Sequence, residues 1–334
     1  MSTTRSSSMI DVAERSGVSH QTVSRVLNNH KSVSEKTRAK VLAAMKELDY
    51  RPNLVARALV TGKTATIGVL SHDTTLFGPA STLHAVQSSA RNMGYKTTIY
   101  SLKSEDPESI NAGISELMSD GVDGIVIIAP QIQGTEEISK VIGNFPAVLV
   151  ESESSASLPS VNVDQIYGAY EVTKHLINLG HKKVAHISGP KDWFETDRRI
   201  KGFMKAISEN KLDDSLIWEG DWSASSGYEA GKKIVKNKKI TAIFAGNDAM
   251  ALGALKAINE AGLNVPRDIS LVGFDDLPES RFLTPSLTTA RQDFQEVGEQ
   301  ALAILLGLIN KKKARMNVAI KPEILIREST AKAK

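Results

Sequence analysis

The chain has 334 residues, 41% hydrophobic and 24% charged, with a formal net charge of +3, enough apolar side chain for two or three folding units. It contains no cysteine, which excludes a disulfide framework and any thiolate metal site, and no apolar run approaches the ~18 residues of a membrane span. Residues Met1 to Ser8 lack the apolar core of a signal peptide, so a soluble cytoplasmic protein with no membrane partner is expected.

Ser8, followed three residues later by Asp11, reads as an N-cap, Ser19 followed by Thr22 as a second helix start, and Gly17 sits where the turn between them must bend. Val12 and Ala13 on the first helix, Val18 in the turn, and Val23, Val26 and Leu27 on the second form one apolar seam. His20, Gln21 and Arg25 then face outward at the start of the second helix, where a helix-turn-helix presents side chains to base edges. Charge agrees: Met1 to Lys63 hold eleven Lys or Arg against five Asp or Glu, while the remainder holds 30 against 33. A basic balance confined to one segment is the footprint of a phosphate-binding surface.

Ser34 as N-cap, with Val41, Leu42, Met45 and Leu48 at helical spacing, predicts a third helix over Glu35 to Leu48. Pro52 ends it, and Asn53 can cap a short helix through Leu59. So short a helix is marginal in water and should order only when held. From Thr66 onward apolar strands alternate with amphipathic helices: Ile67 to Leu70, Thr97 to Leu102, Gly124 to Ala129, Ala147 to Val150, Val184 to Ile187, Ala242 to Ala245 and Ile269 to Phe274. Such alternation over about 265 residues predicts an α/β body of two doubly wound parallel sheets behind an all-α helix-turn-helix headpiece. The chain should enter the second sheet near Val163, return at Gln292 to Phe294 into a helix through Leu308, and close with Ala319 to Arg327.

These residues resemble the lactose repressor (LacI/GalR) family of bacterial transcription regulators. The likeness is carried by Asp11-Val12-Ala13-Glu14 and Gln21 through Asn28, Tyr50-x-Pro52-Asn53, Leu179-Gly180-His181, Ser188-Gly189-Pro190, Gly246-Asn247-Asp248, Met250 through Gly253, Val272 through Asp276, and Leu287-Thr288-Thr289. Within the family, Gly220-Asp221-Trp222-Ser223-Ala224 and Gln292-Asp293-Phe294 look most like the namesake. The resemblance implies residues 1–50 as DNA-binding domain, 51–64 as hinge helix and linker, and 65–330 as an effector-binding and dimerisation domain with a type I periplasmic-binding-protein-like fold. Its N-subdomain would take residues 65–163 and 294–321, its C-subdomain 164–293 and 322–330. It further implies a homodimer on near-palindromic double-stranded operator DNA, with Asn53, Ala56 and Leu59 at the minor groove, Leu59 as the apolar wedge. Ser19, Thr22, Ser24, Asn28 and Ser34 match phosphate-contacting positions. For base readout, Arg25 suits guanine, Gln21 adenine or a mixed edge, and His20 stands where the namesake has a tyrosine. The namesake continues into a C-terminal leucine heptad that joins two dimers; this sequence reaches Lys334 without one, so a dimer of dimers by that route is not expected.

Ligands of doubly wound sheets lie beyond the carboxyl ends of the strands. Glu151 follows Val150, Asn247 and Asp248 follow Ala245, Asp275 follows Phe274, Arg199 opens a helix after Ser188-Gly189-Pro190, and Trp222 closes a strand from Leu216. Carboxylate, amide and guanidinium can hold neighbouring hydroxyls while an indole covers a pyranose face, which suits a sugar. The resemblance carries Arg199, Asn247 and Asp275 onto hydroxyl-binding positions, and Leu76, Trp222, Gln292 and Phe294 onto the cleft wall. Glu151 replaces an aspartate, Ile128 an asparagine and Thr82 an isoleucine, so the sugar need not be the namesake's, although a galactoside is the first expectation. Asp248 reads as a structural cap of the following helix. The expected function is a repressor released from its operator by a small sugar. The alternatives are a corepressor-type regulator answering a purine or a phosphorylated partner protein, and a sugar-binding protein without a DNA role. No enzyme, cofactor or metal is expected: Ser188 and Lys191 have Ser-x-x-Lys spacing without supporting motifs, and His175, His181 and His186 lack ligand spacing.

Overall fold

Helix α1 (Met9–Ser16) starts in a capping box, with the Asp11 amide donating to Ser8 Oγ and the Ser8 amide donating back to Asp11 Oδ2 at 2.6 Å. It stops at Gly17, whose φ of +68° is left-handed and whose amide returns to the Ala13 and Glu14 carbonyls, a geometry that costs a residue without Cβ least. Helix α2 (His20–Leu27) follows, with the Thr22 amide donating to Ser19 Oγ, and α3 (Glu35–Glu47) is capped by Ser34 at the Thr37 amide. Val12, Val23 and Val41 are fully buried where the helices meet, with Ala13, Val26 and Ala44 around them and Val18 and Leu27 packed alongside. Leu42 does not join this core and is 50% exposed. The buried face of α3 runs Val41, Ala44, Met45, Leu48, and Leu42 points ~100° away from Val41.

The structure, a computed structural model, describes residues 7–27, 30, 32–50, 62–72, 75–102, 104, 106–128, 135–152, 157–212, 216–313 and 315–334. These fall into two units, Met1–Thr64 and Ala65–Lys334. Asn28 and the expected hinge residues Asn53, Ala56 and Leu59 lie outside the described residues.

In the second unit, β1 (Thr66–His72), α4 (Phe77–Asn92), β2 (Lys96–Leu102), α5 (Pro107–Ser119), β3 (Gly124–Ile128), α6 (Thr135–Ile142), β4 (Ala147–Val150) and β5 (Ser160–Val163) lay down a first sheet. Then come α7 (Gln165–Asn178), β6 (Val184–Ser188), α8 (Phe194–Glu209), β7 (Ile217–Glu219), α9 (Ala224–Ile234), β8 (Ala242–Ala245), α10 (Asp248–Glu260), β9 (Ser270–Asp275) and β10 (Thr288–Arg291). Helix α11 (Phe294–Ile309) and β11 (Asn317–Ile320) return to the first sheet, and β12 (Glu323–Leu325) ends in the second. Strand orders are β11-β5-β4-β3-β1-β2 and β12-β10-β9-β8-β6-β7, parallel throughout except for β12 against β10. The closing segment thus divides between the sheets, β11 in the first and β12 in the second. Strand β7 stops at Glu219, so Trp222 stands in a loop instead of closing the strand.

An apolar cluster covers each face of each sheet, and β3, Gly-Ile-Val-Ile-Ile, is buried along its whole length. Continuous apolar runs of this kind mark parallel strands covered on both faces. Helices α9 and α10 cross almost backbone to backbone: a Cβ on Gly253 would lie 1.8 Å from the Ala224 carbonyl oxygen, and one on Gly227 2.1 Å from that of Met250. Gly253→Ala is accordingly expected to lower the thermal midpoint by ~3–10 °C through overpacking of about 1–3 kcal/mol, as calorimetry would show; an unchanged midpoint would disprove the close crossing.

The chain passes between sheets after β5, after β10 and after β11. At the first two passages an aspartate starts the next helix, Asp164 accepting from the Tyr167 amide and Asp293 from the Glu296 amide, both at 2.9 Å. These passages bring Gln165 and Gln292 together, and the site is assembled around them.

Candidate functional sites in the headpiece and the intersheet cleft

With Val23 and Val26 turned into the headpiece core, the other side of α2 is exposed at His20, Gln21 and Arg25. Ser19 and Ser34 are also exposed, Thr22 and Ser24 half-buried. Ser19 and Ser34 sit at helix N-termini, each with its hydroxyl 2.9 Å from a threonine hydroxyl, Thr22 and Thr37 respectively. Free amides at such ends favour a phosphate oxygen, and a bare polar helix face has the width of a major groove.

In the body, the carboxyl ends of the two sheets border a concave cleft lined by both polar and aromatic side chains, the character of a small-molecule site. Leu76, Glu151, Arg199, Trp222, Asn247, Asp275, Gln292 and Phe294 all line it, together with Thr82 and Ile128. Phe77, Trp193 and Glu195, which sequence reasoning missed, line it as well. Arg199 stands in the second turn of α8 instead of opening the helix, because α8 begins at Phe194.

Four buried side chains close a ring. Arg199 Nε donates to Gln165 Oε1 at 2.9 Å, Gln165 Nε2 to Gln292 Oε1 at 2.9 Å, Gln292 Nε2 to Asp275 Oδ1 at 2.6 Å, and Arg199 Nη2 reaches the same Asp275 oxygen at 3.5 Å. Arg199 Nη1 also donates to the Gly246 carbonyl, and the guanidinium lies 3.9 Å from the Phe274 ring centroid. Glu151 joins through Oε1, which accepts from the Val163 amide at 2.8 Å, and through Oε2, which accepts from Gln165. Gln165 is thus the hub, and the signal that could have located it is its place directly after the capping Asp164 at the first passage between sheets.

Three buried carboxyls, Glu151, Glu195 and Asp275, surround one buried guanidinium, Arg199. Burial pushes Asp275 up to about 6 against the pull of Arg199, and pushes Glu151 up to about 7. Glu195 rises to about 8, from burial and then from the nearby Glu151 charge. Like charges withdrawn from water do not all ionise together.

The backbone is strained at three of these positions, with φ of +50° at Glu151, +69° at Trp222 and +106° at Asp275, at about 1–3 kcal/mol each. Side-chain ties hold the strain in place. Glu151 is anchored to β5, the Trp222 carbonyl accepts from Asn247 Nδ2 at 3.0 Å, and Asp275 is gripped by Arg199 and Gln292. The Trp222 indole packs edge-on to Trp193 and so tightly on Gly189 that a Cβ there would lie 2.1 Å from the ring.

Asn247 caps α10, its Oδ1 accepting from the Met250 amide, and this corrects the expected cap at Asp248. Asp248 instead accepts from the Leu277 amide and the Ser280 and Thr289 hydroxyls, tying α10 to β10. His186 is a core residue stacked on Phe203 and Phe244, and burial lowers it to about 4. His181 bridges Thr241, Ser270 and the Ala331 carbonyl. Ser188 donates to backbone carbonyls while Lys191 pairs with Glu219 at the surface. Among the described residues no cluster of three His, Asp or Glu could hold a metal ion, and no helix is long and apolar enough to cross a membrane.

A capped helix-turn-helix and a two-sheet body with a polar intersheet cleft, on one chain, define a ligand-responsive DNA-binding regulator. Comparison with known proteins makes the class specific. Residues 8–53 match the family described as bacterial regulatory proteins, lacI family, and residues 173–330 the periplasmic binding protein-like domain. The lactose operon repressor of Escherichia coli (strain K12) is 34% identical over 324 residues, 96% of this chain and 90% of that repressor. The HTH-type transcriptional repressor PurR of Haemophilus influenzae (strain ATCC 51907 / DSM 11121 / KW20 / Rd) is 36% identical over 329 residues, 96% of this chain and 97% of that protein. The crystal structure of the Lac repressor dimer bound to operator and the anti-inducer ONPF superposes with a TM-score of 0.87 at 33% identity, covering 98% of this chain and 100% of that one. The chain belongs to the LacI family and is a DNA-binding transcriptional regulator.

Proposed function

We propose that this regulator is a repressor that binds near-palindromic operator DNA as a homodimer and is released when a small neutral sugar, galactoside-like in the first instance, occupies the intersheet cleft. The observation that carries the reading is the ring of Arg199, Gln165, Gln292 and Asp275 beside the Trp222 indole: fixed donors and acceptors for hydroxyls, next to a flat apolar face. The ring joins two of the three passages between the sheets, so a ligand engaging it biases how the sheets are set against each other. Release then follows from the ligand's differential affinity for the two arrangements. Base readout falls to His20, Gln21 and Arg25, phosphate contact to Ser19, Thr22, Ser24, Asn28 and Ser34, and the minor groove to Asn53, Ala56 and Leu59. The 65–330 segment acts as effector and dimerisation domain, divided as the sequence suggests. The protein works in the cytoplasm and carries out no catalysis, in keeping with the repressors it resembles.

A corepressor reading, with a purine stacked on the same aromatic wall, is favoured by the similarity to PurR. One titration separates the two. Two of the three tryptophans, Trp193 and Trp222, line the cleft, so intrinsic fluorescence reports occupancy. Methyl β-D-galactopyranoside or methyl β-D-glucopyranoside should give a saturable change and release DNA selected from a random library. Saturable binding of hypoxanthine with neither glycoside bound would defeat the sugar reading.

A further inference from the structure

Two buried polar atoms of cleft-lining residues have no partner among the described residues: Glu195 Oε2 and Trp222 Nε1, in residues 8% and 6% exposed. The other cleft carboxyls are engaged, Glu151 by the Val163 amide and Gln165, Asp275 by Gln292 and Arg199. Glu195 stands four residues before Arg199 on α8, on the same helical face, yet the Arg199 nitrogens go to Gln165, Gly246 and Asp275. A buried carboxyl oxygen without a partner destabilises the empty body, and an amide there would cost less. Groups that weaken a fold while facing a cavity are characteristic of binding sites, where stability is exchanged for function.

We propose that Glu195 is an effector-contacting residue: its free oxygen accepts a hydroxyl of a neutral sugar whose oxygen in turn accepts the Trp222 indole N–H, and the cleft refuses sugars carrying a phosphate or carboxylate. This deepens the sugar reading and rests on it. The donor-acceptor pair supplies polarity of both signs across the ligand. The charge set supplies the exclusion, because Asp275 and Glu151 already offset the single Arg199 while burial holds Glu195 up at about 8, so an added anion would find no uncompensated cation among these buried groups. A hydroxyl donated to Glu195 stabilises its ionised form, so neutral sugar also relieves the burial that holds the empty-site carboxyl up at about 8.

Calorimetric titration of the full chain with methyl β-D-galactopyranoside and methyl β-D-glucopyranoside, each beside its 6-phosphate, tests the proposal. The phosphate of whichever glycoside binds is expected to be at least about a hundredfold weaker. Glu195→Gln should weaken the neutral glycoside about tenfold and narrow the gap to its phosphate, with Glu195→Ala weaker still. The ligand-free variants carry a second readout. Because the folded-state carboxyl is raised above its unfolded value of about 4.5, wild-type stability falls as pH climbs from there toward about 8. Glu195→Gln should therefore melt higher than wild type by about 3 °C at pH 8, the difference closing toward pH 5. A residue that only shapes the fold would leave the neutral-to-phosphate ratio where it was. Equal binding of glycoside and phosphate, or an E195Q protein with unchanged affinity and ratio, overturns the proposal while leaving the sugar reading standing. If hypoxanthine binds and neither glycoside does, the sugar reading fails and takes the proposal with it.

Discussion

Replacing Arg199 with alanine should yield a repressor that holds operator DNA as the unaltered protein does and no longer lets go when sugar is added. The guanidinium is the one cation in the ring, and three of its contacts, to Gln165, Gly246 and Asp275, come from different elements. Its removal leaves Asp275 buried against Gln292 alone, with Glu151 and Glu195 nearby. Breaking a buried pair from one side costs about 3–5 kcal/mol, so the body should also melt at a visibly lower temperature. Loss of a charged hydroxyl donor weakens sugar binding by roughly a hundredfold or more. Arg199→Lys keeps the charge without the planar fork and should fall between, retaining more stability than response. Fluorescence anisotropy of labelled operator against increasing sugar checks this directly. Release of the alanine variant at the unaltered protein's sugar concentration would place Arg199 outside effector binding.

On DNA, the largest expected effect is that of Arg25→Ala. Arg25 is exposed on the outer side of α2, and its guanidinium can donate to two acceptors of one guanine. Its loss should cost about 1–3 kcal/mol in each half-site and relax preference at one base position per half-site, leaving binding to random duplex little changed. Competition between selected operator and random DNA reads that difference. Equal losses on both would move Arg25 from base readout to phosphate contact. The contrasting expectation is for Ser34→Ala. That change removes the cap on the Thr37 amide, so its losses should be uniform across sequences.

Buried acids add a pH dependence that the charge count conceals. Glu151, Glu195 and Asp275 are all raised by burial, so each binds more protons folded than unfolded above the ordinary carboxylate range. The ligand-free body should lose stability as pH rises from about 6.5 to 8, above the range in which His175, His181 and His186, lowered by burial, act with the opposite sign.

Much of this molecule was legible because its signals are short-range. Ser8 with Asp11, Ser34 before α3, Gly17 in the turn, and the apolar strands β3 and β8 each act within a few residues, so the headpiece and the two-sheet body follow from the sequence alone. The same locality placed Glu151, Asn247 and Asp275 at strand ends. Even Glu195 left a trace, one helical turn before Arg199, though spacing could not show that its oxygen would be left alone. What only the tertiary structure decided is the wiring. Arg199 meets Gln165 across 34 residues and Asp275 across 76, and Gln165 meets Gln292 across 127. Sequence patterns report on neighbours along the chain, whereas a buried polar ring forms only where separate elements arrive together and each donor finds its acceptor. That is why Asp248 could be recognised as structural while its partners could not, and why Gln165, an unremarked amide after a helix cap, became the centre of the cleft.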